Sequence, residues 1–166
     1  MRRIFLALIF LFCACGDTLG TRSHRVLNDD KEIVTTIFPQ EKRLQNSLHK
    51  PTIWFFFTEN CGVCKEAIPH LNALAKVYEG EIEVLGVLGR GMGEAKDRAF
   101  LERYEIGFKV ISERNSAEYL SRAFGGVRGV PALFMLDELG RIKRQYFGLV
   151  PRAMLDEGAR VLRQGG

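Results

Sequence analysis

Thr52-Ile53-Trp54-Phe55-Phe56-Phe57-Thr58-Glu59-Asn60-Cys61-Gly62-Val63-Cys64-Lys65 is the stretch on which the interpretation of the whole chain turns. Residues 52 to 57 are apolar on both faces, as a central parallel strand covered from both sides must be. Two thiols follow, with two residues between them, a spacing that fits both on the first turn of a helix at disulfide distance. If the strand runs into a helix starting near Cys61, the first sulfur lies beside backbone N–H groups without intrahelical partners, at the positive end of the macrodipole. Cys61 is then the readily ionised nucleophile, and Cys64, one turn further in, is the buried resolving thiol. Lys65 either adds positive charge nearby or points into solvent. Gly62, Val63, Lys65 and Glu66 are the candidate residues for tuning the potential of the pair.

Other chemistries fit the pair less well. A structural zinc site wants four ligands, and the remaining cysteines, Cys13 and Cys15, fall in the N-terminal leader. His24, His49 and His70 are scattered without ligand spacing, so neither a metal nor a cofactor is expected. An inert structural disulfide is disfavoured because a bridge across two residues tends to be strained and exchangeable. A peroxidase wants a Thr or Ser hydroxyl and an Arg around a single reactive Cys. Thr58 lies three residues before Cys61, but the paired spacing suits dithiol exchange better.

Working towards the N-terminus, Arg2-Arg3, the apolar run Ile4 to Phe12 and small residues at Ala14 and Gly16 form an export-signal pattern over residues 1–16. The run is too short for an ordinary membrane-spanning helix. Phe12-Cys13-Ala14-Cys15 resembles a bacterial lipobox in which Cys15 is lipidated, with Phe12 departing from the usual Leu. Ordinary cleavage after Gly16 stays open beside it. Either outcome puts the protein on the periplasmic side of a bacterial membrane, lipid-anchored or soluble, where a reducing dithiol needs its own electron supply. Residues 17–30 are expected to be a tether and residues 31–166 a single domain. Of the net charge of +4, Arg2 and Arg3 account for two, leaving about +2 and no case for nucleic-acid binding.

Onwards from residue 30, Ile33 to Phe38 has the pattern of an edge strand, and Gln40 to His49, with Leu44 and Leu48 four apart, that of a short helix. Beyond the cysteines, apolar residues at helical spacing run through Tyr78, with Pro69 inside as an expected kink and Gly80 as the stop. Ile82 to Leu88 is a strand. Gly89-Arg90-Gly91-Met92-Gly93 lacks the Gly-Lys-Ser/Thr of a phosphate loop and is taken as a flexible connection. A helix over 94–104, a strand over 108–111 and a helix over 115–124 follow. Strands over 132–136 and 141–147, joined by Asp137-Glu138-Leu139-Gly140, form a hairpin, and a helix over 151–162 closes the chain.

Taken in order, the strand, Cys61-Gly62-Val63-Cys64-Lys65, Pro69, Val127-Arg128-Gly129-Val130-Pro131 opening a hairpin, and Gly148 resemble the thioredoxin fold over roughly residues 33 to 163. The resemblance implies an α/β fold with a central mixed sheet flanked by helices. It also implies a cis Val130-Pro131 bond facing the cysteines, with the Val130 backbone pairing to a substrate segment. The added helix and strand between about residues 89 and 124, together with the leader, resemble membrane-tethered thioredoxin-like proteins of the TlpA and ResA kind. That narrower resemblance implies a thiol–disulfide oxidoreductase acting on protein thiols and disulfides. Its substrates would include apocytochrome c, and its electrons would come from a membrane donor such as a transmembrane thiol reductase.

Several positions depart from the pattern. Asn60 replaces the usual Trp and Val63 the usual Pro; Phe55 replaces the buried Asp, and Ala67 replaces the Glu of ResA-like reductases. Proton transfer to Cys64 is left to water, Glu59 or Glu66. Gly62 and Val63 bring neither charge nor side-chain donor between the cysteines, which favours a reductase over an oxidant that stabilises its thiolate. A disulfide oxidase or isomerase for exported proteins, and a redox-inactive binding module using Phe38, Trp54 and the Pro131 loop, are the alternatives.

Overall fold

The computed structural model describes residues 20–165. The export signal, Cys15 and the first residues of the expected tether lie outside them. Two sheets share the described chain. Strand β4 (Thr52–Phe57) is buried at every position and sits in the middle of a five-stranded sheet. It pairs in parallel with β5 (Glu83–Leu88), which pairs in parallel with the edge strand β6 (Lys109–Ile111). On its other side β4 runs antiparallel to β7 (Ala132–Leu136), and β7 pairs with β8 (Ile142–Phe147). This is the expected thioredoxin-like mixed sheet.

Side-chain alternation along β4 divides the core. Ile53, Phe55 and Phe57 enter one cluster, covered by helices α1 (Gly62–Val77), α2 (Glu94–Arg103) and α4 (Arg152–Gln164). Trp54 and Phe56 enter the other, covered by helix α3 (Arg114–Ala123) and by the N-terminal strands. Pro69 lies within α1, which runs unbroken to a C-cap at Tyr78. Helix α2 and β6 occupy the expected insertion after the glycine-rich connection.

Three N-terminal expectations are corrected. The segment from Thr21 is not a tether: β1 (Thr21–Arg25) pairs antiparallel with β2 (Glu32–Phe38), so the fold begins some ten residues before residue 31. Strand β2 is not an edge, because β3 (Arg43–Asn46) pairs along its other side in a three-stranded sheet. That third strand occupies the region expected to be helical. Leu44 and Leu48 mimic helical spacing, but Leu44 and Asn46 are the buried positions, a period of two. Lys42 and His49 bracket the strand with φ of 50° and 51°.

The sheets meet at the β7–β8 turn. Gly140 has φ +81°, its carbonyl accepts from Leu44 N at 2.9 Å, and a Cβ there would lie 2.2 Å from Leu44 O, so only glycine fits the seam. Asp137 anchors the same turn, accepting from the backbone of Leu139 and Arg141 and from Arg141 Nε at 2.7 Å. Its burial opposes ionisation, but these donors and Lys143 outweigh it and hold the carboxyl below its usual range. At the opposite edge, Asn28 mimics a strand against β6, donating to Phe108 O and accepting from Val110 N. That edge is thereby closed.

Candidate active site

Strand β4 delivers the chain into the site at its C-terminal end, and Thr58 O accepts from Cys61 N at 3.2 Å to form the turn. Cys61 is the N-cap of α1, and its Sγ accepts from Cys64 N at 3.1 Å. Cys61 and Cys64 are disulfide-bonded, with Cα atoms 5.2 Å apart. Cys61 is half-buried and Cys64 is 0 % exposed, the asymmetry that a nucleophile and a resolving thiol require. When the bridge opens, the amide already aimed at Cys61 Sγ and the N-terminal end of α1 favour negative charge there.

The other expected residues fall around this pair. The Val130-Pro131 bond is cis. Val130 is 37 % exposed, while Pro131 is buried with its carbonyl accepting from Gly148 N at 2.9 Å. Gly62 and Val63 are exposed, and a Cβ on Gly62 would meet nothing within 4 Å. Bare, uncharged surface therefore flanks the disulfide. Lys65 does not lie free in solvent: its Nζ sits 4.9 Å from the Tyr104 ring centroid, a cation–π contact that ties α1 to the end of α2. Glu66 is exposed on α1.

Glu59 differs from Glu66 in its surroundings. Its Oε1 is buried without a hydrogen-bond partner among the described residues. Desolvation first, and then the neighbouring Asp97 carboxyl, push its carboxyl above the usual range. Asp97, 2 % exposed on α2, accepts from Met92 N at 2.8 Å and so pins the glycine-rich connection beside the site. The surroundings of Glu59 thus favour the protonated carboxyl and make its carboxylate a better proton acceptor than an exposed one. Asp97 was not a sequence candidate, because nothing in its local pattern separates it from an ordinary acidic residue in a first helical turn.

A cleft of about 800 Å³ reaches Asn60, the residue before Cys61, and is bounded by the glycine-rich connection, one face of α3 and the 127–130 loop. Arg90, Arg114, Arg122 and Arg128 line it, and none was singled out from the sequence. The only available signal was the four-residue spacing of Arg114, Glu118 and Arg122 along one helical face. Among the described residues no group of His, Cys, Asp and Glu is arranged to hold a metal, and no helix is long and apolar enough to cross a membrane.

Known proteins resemble this arrangement. The profile of the AhpC/TSA family matches residues 26–145. The thioredoxin-like protein YneN of Bacillus subtilis is 23 % identical over 126 residues, covering 74 % of this chain and 71 % of its own length. Among solved structures, StoA from Bacillus subtilis superposes with a TM-score of 0.65 at 17 % identity, over 84 % of this chain and 96 % of that one. A thiol:disulfide interchange protein of the thioredoxin family from Chlorobium tepidum gives 0.65 at 17 % identity, over 86 % and 93 %. At these identities the structural likeness establishes the fold.

Proposed function

The chain belongs to the AhpC/TSA family and is a thiol–disulfide oxidoreductase of the thioredoxin-like type; within that class we propose that it is a reductase of protein disulfides outside the cytoplasm. The observation that carries the reading is the Cys61–Cys64 pair at the start of α1, one sulfur half-buried and the other fully buried, with uncharged Gly62 and Val63 between them. In the reduced protein, the Cys61 thiolate attacks one sulfur of a partner disulfide. A mixed disulfide forms, and the partner's first sulfur leaves as a thiolate that takes up a proton. Cys64, after losing its proton, attacks Cys61 Sγ, closing the intramolecular disulfide and releasing the partner's second thiolate. Two electrons pass from the dithiol to the partner. Val130 and Pro131 present the backbone against which the partner segment lies, and Glu59 accepts the Cys64 proton through water.

The N-terminal segment supports export: Arg2-Arg3, the apolar run to Phe12 and Cys15 fit a leader whose product is lipid-anchored or released on the periplasmic side of a bacterial membrane. There a membrane thiol reductase supplies the electrons, and apocytochrome c, whose cysteines must be reduced before haem attachment, is a suitable substrate.

Equilibration of the purified protein with thiol buffers tests the direction. The expected reduction potential lies nearer about −270 mV than about −120 mV. A value at the oxidising end would make the protein an oxidase. A Cys64→Ser variant leaves Cys61 locked to its partner, and capture of an apocytochrome identifies the substrate class. Cys61→Ser is expected to abolish exchange in an insulin-reduction assay.

A further inference from the structure

We propose that the arginine-lined cleft beside the disulfide is a specificity site, selecting partner proteins whose cysteine is flanked by an acidic segment. The proposal deepens the exchange reading and rests on it for the identity of the partner.

The cleft borders the site through chain neighbours of the functional residues, since Asn60, which precedes Cys61, and Val130, which precedes the cis proline, both line it. A segment lying against the exposed Val130 therefore lies against the cleft wall as well. Its charge is one-sided: four arginines face two carboxylates, Glu59 and Glu118. None of the four arginines has an ion-pair partner among the described residues; Arg22, Arg103, Arg144 and Arg163 also have none, but none of these lines the cleft, while Arg25, Arg43, Arg98, Arg141, Arg152 and Arg160 are paired. The unpaired guanidiniums thus converge from three separate segments: the β5–α2 connection, α3 and the loop before Pro131. On α3, Arg114, Glu118 and Arg122 recur on the face turned to the cleft.

Arg90 adds a second observation. It adopts φ +57°, a left-handed conformation that a non-glycine residue occupies at a cost. The connection holding it is tied down through Met92 N on Asp97. A connection pinned at Met92 thus carries a guanidinium at the cleft in an unfavourable backbone state with no internal ion-pair partner. Guanidinium forks match carboxylates in planar, bidentate geometry, so an Asp- or Glu-bearing strand supplies the missing counter-charges. The volume accommodates several side chains of such a strand. Because the net charge of the whole chain is small, the preference is local to the site and not a general attraction to polyanions.

Binding of short fluorescein-labelled peptides, identical except for Asp, Gln or Lys around a central Ser in place of Cys, tests the site without any redox step. At low salt the Asp peptide is expected to bind at least about tenfold more tightly than the Lys peptide, and the difference should shrink towards unity near 1 M salt. An R114Q/R122Q variant, checked for an unchanged circular dichroism spectrum and melting midpoint, should bring the two peptides to within about twofold, whereas Glu118→Gln should tighten the Asp peptide. Equal binding of Asp and Lys peptides by the native protein would overturn the proposal, as would an acidic preference that survives the double substitution. Reduction of uncharged 2-hydroxyethyl disulfide by the native protein is measured alongside. Failure there removes the exchange reading while leaving the binding result to stand or fall on its own.

Discussion

The five-stranded sheet and the three-stranded N-terminal sheet are built from opposite materials. Strand β4 buries six consecutive residues, five of them large and apolar, and both of its faces are dry. The smaller sheet buries Ile33, Ile37 and Leu44 on one face but also carries His24, Thr35 and Asn46 into the interior, each at or below 4 % exposure. The first is held by burial, which is non-directional and indifferent to pH. The second depends on particular polar partners: His24 Nε2 and Thr35 Oγ1 lie 2.8 Å apart, and Asn46 Oδ1 accepts from Leu48 N at 2.9 Å. One region tolerates almost any solution condition and few cavities, while the other is sensitive to a proton.

The sharpest way to break this contrast is in the central strand. Phe55 is fully buried, stacked on Phe57 with centroids 5.0 Å apart and edge-on to Phe108 at 6.3 Å. Phe55→Ala is expected to cost about 4 kcal/mol in urea unfolding, at every pH where the protein folds. Val34, on the outer face of β2 and 37 % exposed, should lose less than about 0.5 kcal/mol when changed to Ala. Equal losses at the two positions would remove the distinction.

A smaller effect separates the sheets by pH. Burial first, and then the neighbouring Arg22 charge, lower the pKa of His24 from 6.5 to about 4. The unfolded chain takes up this proton near pH 6.5 and the folded chain only near 4. The neutral ring's contribution is therefore complete above pH 6.5 and is lost as the pH falls through 4, a swing of roughly 3 kcal/mol. Urea midpoints measured from pH 7 to pH 4 should fall steeply in the native protein and much less in His24→Gln. A parallel fall in both would move the acid sensitivity out of the N-terminal sheet.

Glu59 supplies the smallest effect, with the opposite sign. Its carboxyl is held above the usual value, so folding favours the protonated form and the ionised form costs stability as the pH rises from the unfolded value near 4.5 through the raised one. Glu59→Gln should raise the urea midpoint at pH 8 and leave it nearly unchanged at pH 4. If Glu59 accepts the Cys64 proton, the same variant also slows disulfide release and flattens its pH profile.

The two sheets also differ in how openly the sequence displays them. Six buried residues in a row and a dithiol at two-residue spacing are local signals, so β4 and the start of α1 were legible, while the cis Val130-Pro131 bond was expected only through the resemblance to the thioredoxin fold. In β3 the signal misled, because Leu44 and Leu48 satisfy a helical period while the pairing with β2 imposes a period of two. Strand β1 was illegible for a related reason. Thr21-Arg22-Ser23-His24-Arg25 has no apolar face, and it becomes a strand because β2 offers it a ladder and Thr35 offers His24 a partner. At the site, the sequence left Lys65 open between a charge near the sulfur and a side chain in solvent, and Tyr104, thirty-nine positions away, holds it in a cation–π contact instead.

By itself the sequence determined the class of chemistry: the two sulfurs that pair and the central strand that carries them, because these depend on neighbours within one turn or one strand. The tertiary structure alone decided what surrounds that chemistry. Arg90, Arg114, Arg122 and Arg128 belong to three segments with nothing in common along the chain, and Glu59 meets Asp97 only because α2 folds back over the site. Charges act through space, so their sum at a cleft exists only once the chain has closed around it.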